Sequence, residues 1–187
     1  MAAELLPFSC DHDGSRLNGL IVLPEGDGPF SAVLVMHNAL GMGAQVKSVA
    51  LELAGLGYAA IVTDMYGEGA ENFDKQAAGA AYAALLQKPD HMRARTVAWF
   101  DAAAAHARID PARIAAIGFC FGGQCVLELA RSGADVRMVS SFHGLLKTYA
   151  PAVPGAIKGL VLAWCGMKDP YAPAEDIEAL RNELDQS

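Results

Sequence analysis

The stretch Arg113-Ile-Ala-Ala-Ile-Gly118-Phe119-Cys120-Phe121-Gly122-Gly123-Gln124-Cys125 runs from an apolar segment through a glycine-bracketed cysteine into a second, helix-like apolar segment. Gly118, Cys120 and Gly122 have the spacing of a strand-to-helix turn that forces its central residue into a strained backbone and leaves no room for side chains beside it. Such a turn lifts the Cys120 sulfur above a sheet edge and sets it at the N-terminus of the helix starting near Phe121, whose dipole favours a thiolate. A thiol of ordinary pKa, about 8.5, is only a few per cent ionised at neutral pH, so activation is part of the expectation. The Phe121 N–H would face a developing oxyanion. The same glycines also suit a structural turn in which they only let a helix approach a strand, with Cys120 a small core residue. Both readings stand at this point.

Working outward, residues 5–10 and 16–23 are strand-like and flank Asp11-His12-Asp13-Gly14, which predicts a hairpin. Residues 32–36 form a continuous apolar strand ending at His37-Asn38-Ala39-Leu40-Gly41. A helix over 45–56 stops at Gly57, and a strand over 58–63 ends at Asp64. Helices are expected over 74–87 and from Pro89 to about residue 106, with Asp110-Pro111 turning the chain into the strand before Cys120. The helix after Cys120 should reach Gly133, followed by strands over 136–142 and 158–164 and an amphipathic helix over 173–184. Alternation of this kind predicts a single α/β domain, 1–187, with a mostly parallel three-layer sheet and an antiparallel N-terminal hairpin. Ligands of such sheets sit beyond the carboxyl ends of the strands, where His37, Asn38, Asp64, Cys120, His143 and Asp169 fall.

Composition narrows the function classes. Hydrophobic residues make up 53% of the 187 and charged residues 19%, which suits strands buried on both faces. Fourteen basic against twenty-one acidic residues give a net charge of −7 with no basic cluster, which argues against nucleic acid and anionic membrane as partners. No apolar run is long enough to span a bilayer, and Met1-Ala-Ala-Glu-Leu-Leu-Pro lacks a basic leader segment, so the expectation is a cytoplasmic protein acting on a small molecule. Cys10, Cys120, Cys125 and Cys165 form no C-x-x-C and have no histidine at zinc-ligand spacing; no metal or cofactor is expected.

Taken together, Gly118-Phe-Cys-Phe-Gly-Gly123, Asp64-Met-Tyr-Gly-Glu-Gly69, Ser141-Phe-His-Gly144 and Cys165-Gly-Met-Lys-Asp169-Pro resemble the dienelactone hydrolase family of the α/β-hydrolase superfamily over nearly the whole chain. The resemblance implies a hydrolase of a small ester or lactone that works through an acyl-cysteine. Cys120 matches the family's nucleophile and Asp169 the aspartate that orients its histidine, while Ala39 N–H would join Phe121 N–H in the oxyanion hole. Two departures accompany the matches. Where the family carries a glutamate that helps to ionise the thiol, this chain has Asn38, whose amide takes no proton at neutral pH. The family's histidine follows the aspartate, yet His12, His37, His91, His106 and His143 all precede Asp169. The expectation is therefore that the chain stops short of that histidine and of the family's last strand and helix. Residues 160–164, otherwise a strand buried on both faces, would then become a sheet edge open to pairing with another chain.

Auxiliary candidates are His143 as an acid–base group, His37 as a brace for the oxyanion loop, Asp64 as an anchor for the loop after it, and Tyr66 as a pocket residue. His91 and His106 read as surface or packing residues. Besides the hydrolase, two other functions remain open: a catalytically incomplete relative that binds a small carbonyl compound or a protein without turnover, and a peroxide-sensitive thiol at Cys120.

Overall fold

The computed structural model describes residues 4–67 and 73–187; Met1-Ala-Ala at the start and the Glu68-Gly69 end of the quoted Asp64 segment lie outside them. In chain order the elements are β1 (Leu6–His12), β2 (Ser15–Val22), β3 (Phe30–Met36), α1 (Ala44–Gly55), β4 (Ala59–Thr63), α2 (Lys75–Leu86), α3 (Pro89–Ala104), β5 (Ile109–Phe119), α4 (Phe121–Arg131), β6 (Met138–Phe142), β7 (Leu160–Trp164) and α5 (Ala174–Leu184).

Side chains of β3 alternate between the two faces of the sheet, which is why its run is apolar throughout. Ala32, Leu34 and Met36 enter the larger core, beneath α3 and α4, whereas Val33 and Val35 join Val46, Ala50 and Ala54 of α1 on the opposite face. The seven strands lie in the order β1-β2-β4-β3-β5-β6-β7. β1 pairs antiparallel with β2 and β2 with β4, and the remaining pairs are parallel. The result is the expected three-layer, mostly parallel α/β-hydrolase-like sheet with an antiparallel N-terminal hairpin.

Two local differences from the sequence reading have clear causes. The hairpin strands run to His12↔Ser15, because Asp13 and Gly14 both take positive φ and make a two-residue turn that keeps the ladder paired to its end. β5 begins at Ile109, opposite Phe30, and its pairing with β3 shifts before Ala32↔Ile114. The Asp110-Pro111 turn thus lies inside an interrupted strand, where the Asp110 carboxylate accepts from Ala112 N (2.9 Å) and Arg113 Nε (2.6 Å). β7 lies at the sheet edge, the position expected for residues 160–164 of this chain, with Leu160 58% and Trp164 57% exposed.

Every residue of α4 is buried, including Glu128 and Arg131. Their charges are balanced by a network joining four segments. Arg93 Nε donates to Glu128 (2.8 Å), Arg131 to Glu128 (3.1 Å) and, through Nε and an amino nitrogen, to both oxygens of Glu183 (2.9 and 2.8 Å). Arg131 and Arg93 also donate to the Leu146 and Ala150 carbonyls, which ties down the segment leading away from His143. Buried charges are tolerated only when paired and hydrogen-bonded in this way.

Candidate active site

Cys120 stands between β5 and α4 with φ 55° and ψ −113°, a backbone that costs an L-residue about 1–3 kcal/mol. Close packing leaves the turn no alternative. A Cβ on Gly118 would run into the Gly122 carbonyl, and one on Gly122 into the Met36 carbonyl at the end of β3. The Cys120 N–H donates to Phe142 O (2.9 Å), fastening the elbow to β6, and the Gly123 N–H donates back to Cys120 O (2.9 Å). The thiol is partly exposed at the first turn of α4.

The loop after β3 forms one wall. His37 is fully buried; its Nδ1–H donates to Asn38 O (2.6 Å), and its Nε2 accepts from Met65 N (3.2 Å). Burial pushes its pKa down to about 4, so it is neutral at physiological pH and both ring nitrogens serve as braces. Asn38 Oδ1 accepts from Leu40 N (2.8 Å), closing a side-chain turn over Ala39, and its amide nitrogen donates to Gln45 (3.3 Å). The Tyr66 hydroxyl donates to Ala39 O (2.9 Å) and fixes the same peptide from above. Among the described residues neither Ala39 N–H nor Phe121 N–H has a hydrogen-bond acceptor. Tyr66 is positioned in turn by Asp64, whose buried carboxylate accepts from the N–H groups of Asn18, Tyr66 and Gly67. Burial raises the Asp64 pKa, and those three bonds hold it back. Asp64 therefore anchors its loop rather than facing the thiol.

The other wall rises from β6 and β7. Phe119, Phe142 and Trp164 are register partners across the last three strands, so Cys120, His143 and Cys165 are the next residues at one rim. His143 has φ 54°; with Cys120 it is one of three described non-glycine residues at positive φ. Its Nδ1 is hydrogen-bonded to Asp169 Oδ2, whose side chain is 4% exposed while the imidazole is 53% exposed. Asp169 also accepts from Tyr171 N (2.9 Å), and this bond, with the one to His143, holds its pKa below the usual carboxylate range against the effect of desolvation. Among the described residues the side-chain partner of Asp169 is thus His143, a residue to which the sequence reading assigned only an auxiliary place.

The structure also brings in three residues that the sequence reading did not select, Phe73, Tyr82 and Tyr171. The Phe121 ring contacts His37, Tyr66 and Tyr82, with centroids 5.9, 5.7 and 5.2 Å away, and Tyr66 stacks on Phe73 at 6.4 Å. Tyr171 meets His143 edge-on at 5.8 Å. Tyr82 is one face of an alanine-rich helix and Tyr171 a loop residue two positions after Asp169, so nothing local marks either one.

Burial, with nearby Asp11 and Asp64, pushes Cys10 up to about 11, and burial raises Cys125 well above its ordinary value. Cys165 is raised by desolvation and by Asp169. No cluster of three or more potential metal-ligating side chains occurs among the described residues. No helix among them is long and apolar enough to cross a membrane.

Known proteins resemble the chain along most of its length. The chain is 26% identical over 182 residues to a Synechocystis protein named "Putative carboxymethylenebutenolidase", covering 90% of this chain and 74% of that one. It is 28% identical over 185 residues to a Bradyrhizobium protein named "Probable 2-oxo-3-(5-oxofuran-2-ylidene)propanoate lactonase", covering 92% and 72%. The crystal structure of a dienelactone hydrolase-like promiscuous phosphotriesterase from metagenomic libraries superposes with a TM-score of 0.88 at 33% identity, over 99% of this chain and 77% of that one. The sequence profile of the dienelactone hydrolase family matches residues 17–187, and the chain belongs to that family of hydrolases.

Proposed function

We propose that the protein hydrolyses a small ester or lactone through an acyl-cysteine on Cys120, with His143 carrying the proton and Asp169 positioning His143. The observation that carries this reading is the rim itself: a strained, partly exposed Cys120 hydrogen-bonded through its backbone to the residue before His143, whose imidazole is bound to Asp169. With Nδ1 held by Asp169, Nε2 of His143 is the nitrogen available to the thiol. It takes the Cys120 proton as sulfur attacks the carbonyl carbon, and the N–H groups of Ala39 and Phe121 receive the oxyanion. Collapse breaks the carbon–oxygen bond, and the imidazolium returns its proton to the departing alkoxide, which in a lactone remains tethered to the acyl group. Water then attacks the thioester while His143 takes a proton from it. Cleavage of the carbon–sulfur bond releases the acid and restores the thiol. The exposure of His143 gives that water access.

One observation favours the reading without turnover. Asn38 stands where the family's glutamate is expected, and its amide is engaged with Leu40 and Gln45, so that position supplies no base. Pre-steady-state hydrolysis of a chromogenic ester separates the two readings. A stoichiometric burst followed by turnover, both at least about a thousandfold lower in Cys120→Ala, is the expected result. Binding of the ester with no burst would establish the second reading instead. A rate unchanged in the alanine variant would remove Cys120 from the nucleophile's place.

A further inference from the structure

Resting on that hydrolytic reading, we propose that Glu183, near the far end of α5, is a positioning residue: through its fork to Arg131 it sets where Asp169 and His143 stand relative to Cys120. Helix α4 is the common frame. It has Cys120 at its N-cap, Leu127 about two turns along and Arg131 as its last residue. The two segments that leave the rim both return to this helix. Leu146, three residues after His143, and Ala172, three residues after Asp169, are both buried. They share one small apolar cluster with Leu127 and with Leu180 of α5.

Apolar packing alone holds α5 weakly, because Leu180 is its only buried residue. Glu183, one turn later, completes the attachment. Its carboxylate accepts from Arg131 Nε (2.9 Å) and Nη2 (2.8 Å), and Oε1 accepts as well from Ala152 N (2.7 Å). Arg131 Nη2 also donates to Leu146 O (3.0 Å). One guanidinium thus ties the segment after His143 and the helix after Asp169 to the same point on α4. Burial works to raise the Glu183 pKa, but the Arg131 fork and the Ala152 N–H bring it below its ordinary value, which keeps the pair ionic. The parallel tie, Lys147 to Asp176, spans 3.8 Å and its lysine is exposed; such a solvated pair adds little.

From α5 the constraint reaches Asp169 through a short hydrogen-bonded link. Ala172 N donates to Asp169 O (3.3 Å), Tyr171 N to the Asp169 carboxylate (2.9 Å), and Asp176 N to Pro173 O (3.0 Å). His143 is held from the sheet, where its N–H donates to Trp164 O (3.0 Å). A displaced α5 therefore moves Asp169 against an imidazole that stays with β6 and β7. A misplacement of about 1 Å, even from a change far from the chemistry, can cost about a hundredfold in rate.

The test crosses Glu183→Gln, and separately Leu180→Ala, with Asp169→Asn. The first weakens the fork at constant shape and the second loosens the same helix from its apolar side, so the outcome does not depend on one variant folding. In the native background each is expected to lower kcat for a chromogenic ester about tenfold with KM within about twofold. Each should also shift the pH profile of Cys120 alkylation by iodoacetamide, with Cys120→Ser as the blank, in the direction that Asp169→Asn shifts it. In the Asp169→Asn background each should lower kcat less than about twofold, because the orientation it protects is already lost, whereas the effects on the unfolding midpoint should add. Equal fold losses of kcat in both backgrounds, or a native rate and alkylation profile in both single variants, would overturn the positioning role. Alkylation needs no turnover and so keeps the two readings apart. A profile that responds to Asp169→Asn and His143→Gln but to neither α5 variant overturns the positioning alone; one that responds to none of the four overturns the hydrolytic reading as well.

Discussion

The two walls of the Cys120 cleft are built differently. The β3 wall lies at the centre of the sheet: His37 is fully buried, both its nitrogens are used, and Ala39 is held by Asn38 from within and by Tyr66 from above. The β6–β7 wall lies at the edge: His143 and Tyr171 are more than half exposed, and the imidazole depends on one carboxylate for its orientation. In such a division, the groups proposed to receive the oxyanion belong to the rigid half, where preorganisation costs nothing at the moment of reaction. The group proposed to move a proton belongs to the half where water can reach it. Damage to the first wall should therefore appear as lost stability, and damage to the second as lost rate.

The hardest break is Gly122→Ala. Its Cβ has no space against the Met36 carbonyl, so β3 and α4 must separate; a loss of about 3 kcal/mol is expected, together with the activity, in denaturant unfolding. If the variant unfolds at the same denaturant concentration, the two elements are not packed as tightly as this contrast requires. The opposite wall is tested by His143→Gln and Asp169→Asn. Each should lower the acyl-transfer rate about a hundredfold or more, while the unfolding midpoint barely moves. The pH dependence of Cys120 alkylation should shift in both, a change that a merely structural role would not produce. A fall in stability matching the fall in rate would mean that the edge wall, too, is structural.

The smallest expected effect sharpens the contrast through pH. Burial holds His37 at about 4 against an ordinary value near 6.5, so the unfolded chain binds the proton more readily. The folded state then loses stability as pH falls through that window, by about 2 kcal/mol between pH 7.5 and 5. Unfolding measured across the range should show this slope in the native chain and a flatter one in His37→Gln. An unchanged slope in the variant would assign the pH dependence to other groups.

Much of this arrangement was legible before the fold. The order of strands and helices, the elbow at Cys120 and the anchoring part of Asp64 follow from patterns within a few residues: apolar runs, glycine spacing and a carboxylate beside the N–H groups of its own loop. What was not legible lay between segments. The partner of Asp169 stands 26 residues earlier in the chain, and a family order that places the histidine after the aspartate directs attention away from it. Leu160-Val-Leu-Ala-Trp164 has the composition of an interior strand, yet β7 lies at the sheet edge, because exposure depends on what lies beside a strand and not on its composition.

The sequence by itself determined the local conformations, because periodicity and steric exclusion act over one or two turns of chain. It also determined the identity of the nucleophile candidate, since only glycines at 118 and 122 can flank that turn. The tertiary structure alone decided which side chains share the cleft. Parallel register carries Cys120 and His143 to neighbouring positions on one rim, and packing on Phe121 gathers Tyr66 and Tyr82 from separate segments. Those meetings depend on strand order and helix placement across the whole sheet, which no short window of sequence encodes.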